Sequence, residues 1–420
     1  MIWLLGGYMW LFIHRPFEVW PALGALQIER VYMIGLLLVW LFSPKGWTAN
    51  RNHWVTAVFS ALLLASWVFS PYMDQLVCSA VVEDYFKILV FYVLVVTTVR
   101  DERSLKLLIT LFIGAAGLYM AHSFWEFLGG RYVYRMGIRR MVGVDATFSD
   151  PNAFASSLLY TAPLALSLWM TKPGKLMRLL LIGYLFGVCL CILLTGSRTG
   201  FVGLCFCSFL LLLLSVRRKA LVVVWSGIGG TAILGVTAVA LPAELQNRYL
   251  TLIDSSYGPK NATESANSRF NNFLEGCRAW QSSPVIGHGP RSFDFIGSHK
   301  MGSHNLYGQV LCEMGALGAL TLISFVICFI LNWREVYRYY QDRPEQPRDF
   351  LFYLSRNLVV LLVLLLLLGW SGHTLYRYNW RWFAAFQAIA VHCIRKRQQA
   401  EATITLPYLV HYPMAAMSFV

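Results

Sequence analysis

His304 is the side chain best suited to proton transfer, because an unperturbed imidazole has a pKa of about 6.5 and is largely neutral at pH 7. It stands at the start of an apolar run in which Asn305, Gln309 and Glu313 follow at four-residue intervals and would share one face of a helix. Glu313 is costly in such a run unless it is paired, so we expect it to face the protein interior, toward an arginine. A lone histidine at a membrane boundary is usually structural, and a catalytic role for His304 depends on the charges around it.

Those charges are arginines in segments between apolar runs, on the side of the membrane where insertion disfavours positive charge. They are Arg131, Arg135, Arg139, Arg140, Arg198, Arg269, Arg278 and Arg291. An anionic ligand would explain why they are retained, because guanidinium groups bind phosphate through paired hydrogen bonds. The alternative is that long loops cross the membrane regardless of charge and that boundary arginines merely extend toward water.

Two short polar motifs precede apolar runs on the same side. In Asp150-Pro151-Asn152, Asp150 fits a helix N-cap and Pro151 fits the first helical position, and the helix N-terminus beside arginines suits an anion. The motif also serves as plain helix punctuation. In residues 195–200 (TGSRTG) the turn is so short that Arg198 must lie near the hydrocarbon edge, either as a phosphate-binding group or as a residue that extends to water.

The longest polar segment, residues 242–304, contains an amphipathic stretch between Ser268 and Trp280. Its apolar positions at helical spacing are Phe270, Phe273, Leu274, Cys277 and Trp280. We expect this stripe to dock onto the bundle or to lie in the membrane interface. The turn-rich residues 284–291 (PVIGHGPR) follow and could bring His288 and Arg291 near the helix ends.

The elements that hold these residues are predicted to be membrane helices. With 57% hydrophobic and 13% charged residues and a mean hydropathy of +0.55, the chain is too apolar for a soluble globule. The net charge of +14 is split into short clusters between apolar runs, which argues against a nucleic-acid-binding face. The nine cysteines lie mostly in apolar runs and predict neither a disulfide framework nor a zinc site.

About twelve spans are predicted, in one integral domain covering residues 1–420. They are 2–13, 31–42, 54–70, 85–99, 105–128, 152–170, 178–195, 200–215, 220–241, 305–331, 353–371 and 376–394. The first lacks a basic region and a small-residue cleavage site, so we expect a retained span rather than a signal peptide. The large loop 242–304 then lies between the ninth and tenth spans.

The positive-inside rule orients this bundle. One set of alternate loops carries the basic clusters around residues 45–51, 100–106, 172–178, 217–219, 334–356 and 395–397, and these loops are predicted to be cytoplasmic. An even number of spans places both termini on that side. The arginines, His304 and the large loop then share the extracytoplasmic side.

Two nucleotide-related motifs are absent from the sequence. We find no Walker A motif for ATP and no Asp-x-Asp pair of the kind that holds a metal with a nucleotide sugar. The energy for any reaction must therefore come from another source.

Taken together, these segments resemble the O-antigen ligase and O-antigen polymerase superfamily, which includes protein O-oligosaccharyltransferases. The resemblance rests on four segments between about residues 140 and 320, and it gains specificity from their order. They are Asp150-Pro151-Asn152 with Ala155, the residues 195–200, the passage from Arg278-Ala279-Trp280 to Pro284-x-x-Gly287-x-Gly289, and His304-Asn305 through Glu313-x-Gly315.

The resemblance implies a GT-C-like, inverting, metal-independent glycosyltransferase without a cofactor, whose active site is periplasmic in the bacterial inner membrane. Its donor would be an undecaprenyl-diphosphate-linked glycan. His304 would be the catalytic base, and arginines would bind the diphosphate and stabilise its developing charge. The matching arginines are Arg198 and Arg269, with Arg139, Arg140 and Arg291 as additions, and the supporting residues would be Asp150, Asn152, Asn305 and Glu313.

The acceptor is left open by the sequence. We favour a ligase that transfers the glycan to lipid A–core, because only the last three predicted spans and a short tail follow the large loop. The alternatives are a polymerase that extends the lipid-linked chain and an enzyme directed at serine or threonine.

A transporter or flippase for an anionic lipid is the rival from another class. Such a protein would carry its charges near the membrane midplane and consist of two equivalent halves, and no internal repeat is evident. A membrane scaffold would not need the polar helix face with His304 and Glu313.

Overall fold

The structure is a computed structural model. It describes residues 1–135, 137–216, 241–252, 261–297 and 302–410, together with the isolated positions 221, 222, 224, 229, 230, 235 and 254. Most of the predicted ninth span (220–241), the basic cluster 217–219 and residues 411–420 lie outside the described residues.

The described residues form helices and one small β-hairpin. The helices are α1 (Ile2–His14), α2 (Pro16–Val19), α3 (Pro21–Ala25), α4 (Ile28–Phe42), α5 (Arg51–Val68), α6 (Leu76–Thr98), α7 (Glu102–Leu128), α8 (Pro151–Leu159), α9 (Ala162–Met170), α10 (Lys175–Leu194), α11 (Arg198–Ser215), α12 (Ala243–Leu250), α13 (Asn261–Ser282), α14 (Phe293–Ile296), α15 (Leu306–Gln341), α16 (Phe350–Gly369) and α17 (Tyr378–Val410). The hairpin consists of β1 (Val133–Arg135) and β2 (Ile138–Arg140).

Eleven of the twelve predicted apolar stretches coincide with helices, and the sixth is divided between α8 and α9. Among the residues that the structure describes, six helical segments are long and apolar enough to cross a membrane: α7, α8 with α9, α10, α11, α15 and α16. The all-α, polytopic architecture is therefore confirmed. The number of twelve spans and the GT-C-like assignment stay predictions, since α1 has 13 residues and α4 has 15, whereas a span needs about 20.

The core of the bundle is built around α16 and α17. Leu361 of α16 and Phe383, Phe386 and Ile389 of α17 are fully buried. Helix α16 packs against α9, α11 and α15, while α17 packs against α6. Because these helices are enclosed by others, the ends of α15, α16 and α17 are fixed relative to one another.

Helix α15 is broken close to Glu313. Gly315 has φ 61° and ψ −158°, a left-handed conformation open to glycine at little cost. The segment 284–289 supplies partners for the disrupted backbone: the Ala316 amide donates to the Pro284 carbonyl at 2.8 Å, and the Gly289 amide donates to the Glu313 carbonyl at 3.0 Å. Irregular backbone within a spanning helix is tolerated where protein satisfies it.

The predicted amphipathic helix in the large loop is confirmed as α13, but its contact surface differs from the expected apolar stripe. It packs against α15 through Asn272, Gly276 and Ala279, which are buried, whereas Phe270 is 52% exposed. A Cβ on Gly276 would lie 2.5 Å from the Gly308 Cα, so the two backbones approach too closely for large side chains. Part of the helix therefore docks onto the bundle, which is one of the two expected placements, while the exposed Phe270 is compatible with the other, a position in the membrane interface.

Candidate functional site

The hairpin β1–β2 places the side chains of Arg139 and Arg140 on opposite faces. Its antiparallel register pairs Tyr134 with Arg139 and Val133 with Arg140, and successive side chains on a strand point to opposite faces. Arg140 is only 2% exposed. Arg139 is exposed, and its guanidinium lies 5.0 Å from the centre of the Tyr132 ring, beside a surface depression formed with α12. The structure therefore does not bring Arg139 to the cleft that contains His304.

Arg140 and Asn152 connect the two N-terminal motifs. The Arg140 Nε donates to the Thr195 carbonyl at 2.7 Å, and its Nη2 donates to Asn152 Oδ1 at 3.2 Å. The Ser197 hydroxyl donates to the same Asn152 oxygen at 2.8 Å. Burial, followed by the charge of Arg248, lowers the pKa of Arg140 to about 10, so it stays protonated at neutral pH. These bonds fix the turn that carries Arg198 against the start of α8.

Side-chain caps set where the helices begin on this side. Asp150 accepts from the amides of Asn152 and Ala153 at 2.9 and 3.0 Å, as its predicted N-cap role requires. Ser197 accepts from the Gly200 amide at 3.1 Å and begins α11. The caps place Asp150 and Arg198 at neighbouring helix N-termini.

Arg198 lies in a group of arginines drawn from three chain segments. Its Nη1 donates to the Thr251 hydroxyl at 3.3 Å, just beyond α12. Arg248 of α12 donates through Nε to the Gly196 carbonyl at 2.6 Å, and its pKa is lowered to about 10 by burial and then by the charge of Arg198. Burial, followed by the charge of Arg198, also lowers the pKa of Arg269. Such mutual repulsion is relieved by an anion between the groups.

Asn305 connects Arg269 to His304. Its amide Nδ2 donates to the Arg269 carbonyl at 3.4 Å and to the Trp370 carbonyl at 3.2 Å, while its Oδ1 accepts from the Gly308 amide at 2.9 Å and caps α15. One side chain therefore joins α13, α15 and the end of α16. His304 precedes it directly in the chain, and the charge of Arg269 acts on the imidazole.

His304 opens into a pocket of about 150 Å³ whose lining includes Asp150, Asn152 and His373. Its ring centre lies 5.2 Å from that of His373. Burial lowers the pKa of His304, the carboxylate of Asp150 opposes this shift, and the charges of Arg269, Arg135 and Arg291 reinforce it. The imidazole is therefore neutral at pH 7 and able to accept a proton.

A larger cavity of about 350 Å³ adjoins this pocket, and Arg291, Gln309 and His373 contribute to its lining. Arg291 Nη2 forms an ion pair with Asp294 Oδ2 at 2.6 Å. Burial, followed by the charge of Arg377, lowers the pKa of His373 to about 3, so His373 is neutral at physiological pH. Arg291 thus lines the cavity next to the His304 pocket, and its charge, like that of Arg269, acts on the imidazole.

Glu313 is buried as predicted, at 1% exposure, and it faces Arg291, whose backbone amide donates to its carboxylate. The carboxylate also accepts from Gln309 Nε2 at 3.1 Å, and no arginine side chain among the described residues forms an ion pair with it. The backbone of segment 284–289 packs against the same broken turn of α15. The Ser66 hydroxyl donates to the Glu313 carbonyl at 2.6 Å and completes this contact.

Three residues of the cleft did not stand out in the sequence: Arg248, His373 and Arg377. Arg248 and Arg377 carry positive charge on the side predicted to be extracytoplasmic, which is the signal that singled out the other arginines. Arg248 lies within the large loop, and Arg377 adjoins an apolar run, so hydropathy alone does not distinguish them from ordinary loop and boundary residues. His373 lies in the short connection between α16 and α17, where a polar residue is ordinary.

Comparison with known proteins supports the resemblance seen in the sequence. Residues 183–323 match the family model described as O-antigen ligase. This region begins within α10, ends within α15, and includes Arg198, Arg269 and His304. No curated protein matches the chain. The resemblance is confirmed over this region, and together with the apolar helices it supports a membrane glycosyltransferase of the O-antigen ligase and polymerase type.

Proposed function

We propose that the protein transfers a glycan from an undecaprenyl-diphosphate-linked donor to a hydroxyl group of lipid A–core, at the periplasmic face of the bacterial inner membrane. The observation that carries this proposal is the placement of a neutral imidazole, His304, beside the group formed by Arg198, Arg248 and Arg269. A diphosphate needs several cationic donors, and a hydroxyl nucleophile needs a neutral base.

The reaction is a single displacement. The acceptor hydroxyl oxygen attacks the anomeric carbon of the donor glycan while the bond from that carbon to the phosphate oxygen breaks, and His304 takes up the hydroxyl proton. The electron pair leaves with undecaprenyl diphosphate, whose new charge is stabilised by the guanidinium groups of Arg198, Arg248 and Arg269. Attack from the face opposite the leaving group inverts the anomeric configuration. The diphosphate supplies the energy, in place of the nucleotide for which the sequence has no motif.

The arginines can perform the charge stabilisation that a bound cation performs in other transferases. Arg198 and Arg269 lie close enough for the charge of Arg198 to lower the pKa of Arg269. Guanidinium groups present paired donors that match phosphate oxygens. We therefore propose that transfer proceeds without a divalent metal or another cofactor.

The remaining predicted site residues act through position. Asp150 and Asn152 hold the start of α8, Asn152 and Arg140 hold the turn before Arg198, and Asn305 holds His304 against Arg269. Glu313, bonded to Gln309, supports the broken turn of α15 beneath the cleft. Arg139 faces away from this cleft, and the proposal gives it no contact with the diphosphate.

The proposed topology has support from the opposite end of α15. His304 precedes this helix, while Glu335 near its other end forms an ion pair with Arg395 at 2.5 Å. Arg397 pairs with Asp349 at 2.7 Å in the same group of basic residues. Two of the predicted cytoplasmic basic clusters, 334–356 and 395–397, therefore meet at the end of α15 remote from His304. We propose that the site faces the periplasm and that both termini are cytoplasmic.

A transfer assay tests the proposal. Full-length protein in lipid vesicles is incubated with a lipid-diphosphate glycan and, in parallel, with lipid A–core, with further donor, and with a peptide containing serine and threonine, all in the presence of EDTA. We expect glycan on lipid A–core with wild-type protein and none with H304A, while R139K retains transfer.

The other products distinguish the alternatives. Longer lipid-linked chains would indicate a polymerase, and a glycosylated peptide would indicate transfer to protein. Donor that crosses the vesicle membrane unchanged would indicate a transporter. Unchanged donor in every mixture, with protein that is folded and binds the donor, would overturn the proposal of an enzyme.

A further inference from the structure

The cavity of about 350 Å³ beside the His304 pocket is not used by the donor site described above. Three arginines from distant parts of the chain line it: Arg15 after α1, Arg291 before α14 and Arg377 before α17. Sites for small ligands usually have volumes of about 300–1,000 Å³, so this cavity can hold a sugar residue with a charged substituent.

The cavity is continuous with the His304 pocket. Thr147, Phe148, His373 and Arg377 line both spaces. A ligand in the larger cavity can therefore present a hydroxyl group to His304. The group formed by Arg198, Arg248 and Arg269 contributes no residue to the lining of the larger cavity.

The three arginines of the larger cavity differ in whether a carboxylate pairs with them. Arg15 forms an ion pair with Glu18, and Arg291 forms one with Asp294, whereas Arg377 forms no ion pair with any residue that the structure describes. The Arg377 guanidinium lies 5.3 Å from the centre of the Phe148 ring. Asp84 also lines the cavity, so with Glu18 and Asp294 three carboxylates match the three guanidinium groups in number, and an anionic ligand would be attracted by the Arg377 guanidinium itself.

Backbone strain is concentrated around the same space. Five residues other than glycine have positive φ among the described residues, and three of them are Arg15 at 49°, Arg291 at 62° and His304 at 42°. A left-handed conformation is unfavourable for an ordinary residue, and such strain persists mainly where function requires the side chain. Glycine would adopt these angles more easily, but it would remove the cationic or imidazole group from the cleft.

We propose that this cavity binds an anionic group of the acceptor, a phosphate or carboxylate borne by the sugar next to the accepting hydroxyl. Arg377 and Arg291 contact this group, and Arg15 adds positive charge at the far wall. The donor diphosphate occupies the separate group around Arg198, and His304 lies between the two substrates. This assignment rests on the proposed transferase function, because it divides one cleft between a donor and an acceptor.

Direct binding tests the assignment without requiring transfer. Full-length protein in nanodiscs is titrated with three probes: phosphorylated lipid A–core, the same glycolipid after enzymatic dephosphorylation, and undecaprenyl diphosphate. A fourth probe with reduced sugar carboxylates distinguishes carboxylate from phosphate. The variants are R377Q, R377K and, as a control outside the cleft, R139Q.

We expect R377Q to weaken binding of the phosphorylated or carboxylated acceptor by about 10-fold or more, which is the effect of losing one charge-assisted hydrogen bond. Removal of that anionic group from the acceptor should weaken binding to wild-type protein similarly, with little further loss in R377Q. R377K should retain part of the affinity, and undecaprenyl diphosphate should bind all variants equally.

Three results would overturn the assignment: wild-type protein that binds all the acceptor probes equally, wild-type protein that binds none of them, or R377Q that loses affinity for undecaprenyl diphosphate instead. A failure of the transferase function itself would appear in the separate transfer assay. That failure is distinguishable because the binding titration contains no glycan donor.

Discussion

The contact between α13 and α15 offers a sharp test of how the site is assembled. Gly276 of α13 faces Gly308 of α15, and a Cβ added to Gly276 would lie 2.5 Å from the Gly308 Cα and 2.5 Å from its carbonyl oxygen. Non-bonded carbon atoms prefer a separation of about 3.5–4.0 Å, so G276A must move α13 by roughly 1 Å. The neighbouring atoms are backbone and cannot rotate away.

The displacement should affect catalysis more than folding. Overpacking of this kind typically costs about 1–3 kcal/mol of stability. Arg269 lies on α13, and the bond from Asn305 to its carbonyl is already 3.4 Å long, so a shift of that size separates Arg269 from His304. A misplacement of about 1 Å at an active site can reduce the rate about 100-fold.

The assay compares kcat/KM for glycan transfer and the thermal unfolding midpoint of purified full-length protein. The matched control is G114A in α7, because a Cβ at Gly114 meets no atom within 4 Å. Replacing glycine by alanine within a helix stabilises by roughly 0.5–1 kcal/mol, so G114A should be active and slightly more stable. A G276A protein with wild-type kcat/KM would refute the argument that this close helix contact positions Arg269.

Three other predictions concern individual side chains. R198K should reduce kcat/KM about 10-fold or more, because lysine cannot form the paired bonds of a guanidinium, whereas R139K should have little effect; equal losses in both would contradict the assignment. R135Q should raise the pKa of His304, because it removes a nearby positive charge. Since the base must be neutral, the acidic limb of the profile of kcat against pH should move to higher pH, and a shift to lower pH would contradict this. N152A should lower the free energy of unfolding by roughly 2–4 kcal/mol, since the Ser197 hydroxyl and the buried Arg140 guanidinium both lose their acceptor. In thermal unfolding, N152D should restore part of this loss. An unchanged midpoint in N152A would contradict the role of these two hydrogen bonds.

The parts of the site that follow local rules could be predicted from the sequence. Asp150 caps α8 as expected, since an aspartate before a proline and an apolar run satisfies the first helical amides. The apolar runs coincide with helices for a similar reason, because a helix satisfies its own backbone in a membrane. The position of His304 just before α15 follows from the same rule, because the apolar run that predicts this helix begins directly after it.

Other features depend on contacts between distant segments and could not be read from the sequence. The different faces of Arg139 and Arg140 follow from the register of a three-residue hairpin, which composition does not specify. The break at Gly315 depends on segment 284–289, which supplies hydrogen bonds from outside the helix. Arg248 and Arg377 acquire their places only when α12 and α17 pack around the cleft.

The most direct test of the account is a cryo-EM structure of full-length H304A bound to an undecaprenyl-diphosphate-linked glycan, since this variant should bind the donor without consuming it. We expect diphosphate oxygens at about 2.7–2.9 Å from guanidinium nitrogens of Arg198 and Arg269. The anomeric carbon should lie beside the position of the missing imidazole. A diphosphate bound at the opposite end of α15, or one that contacts neither arginine, would contradict the account.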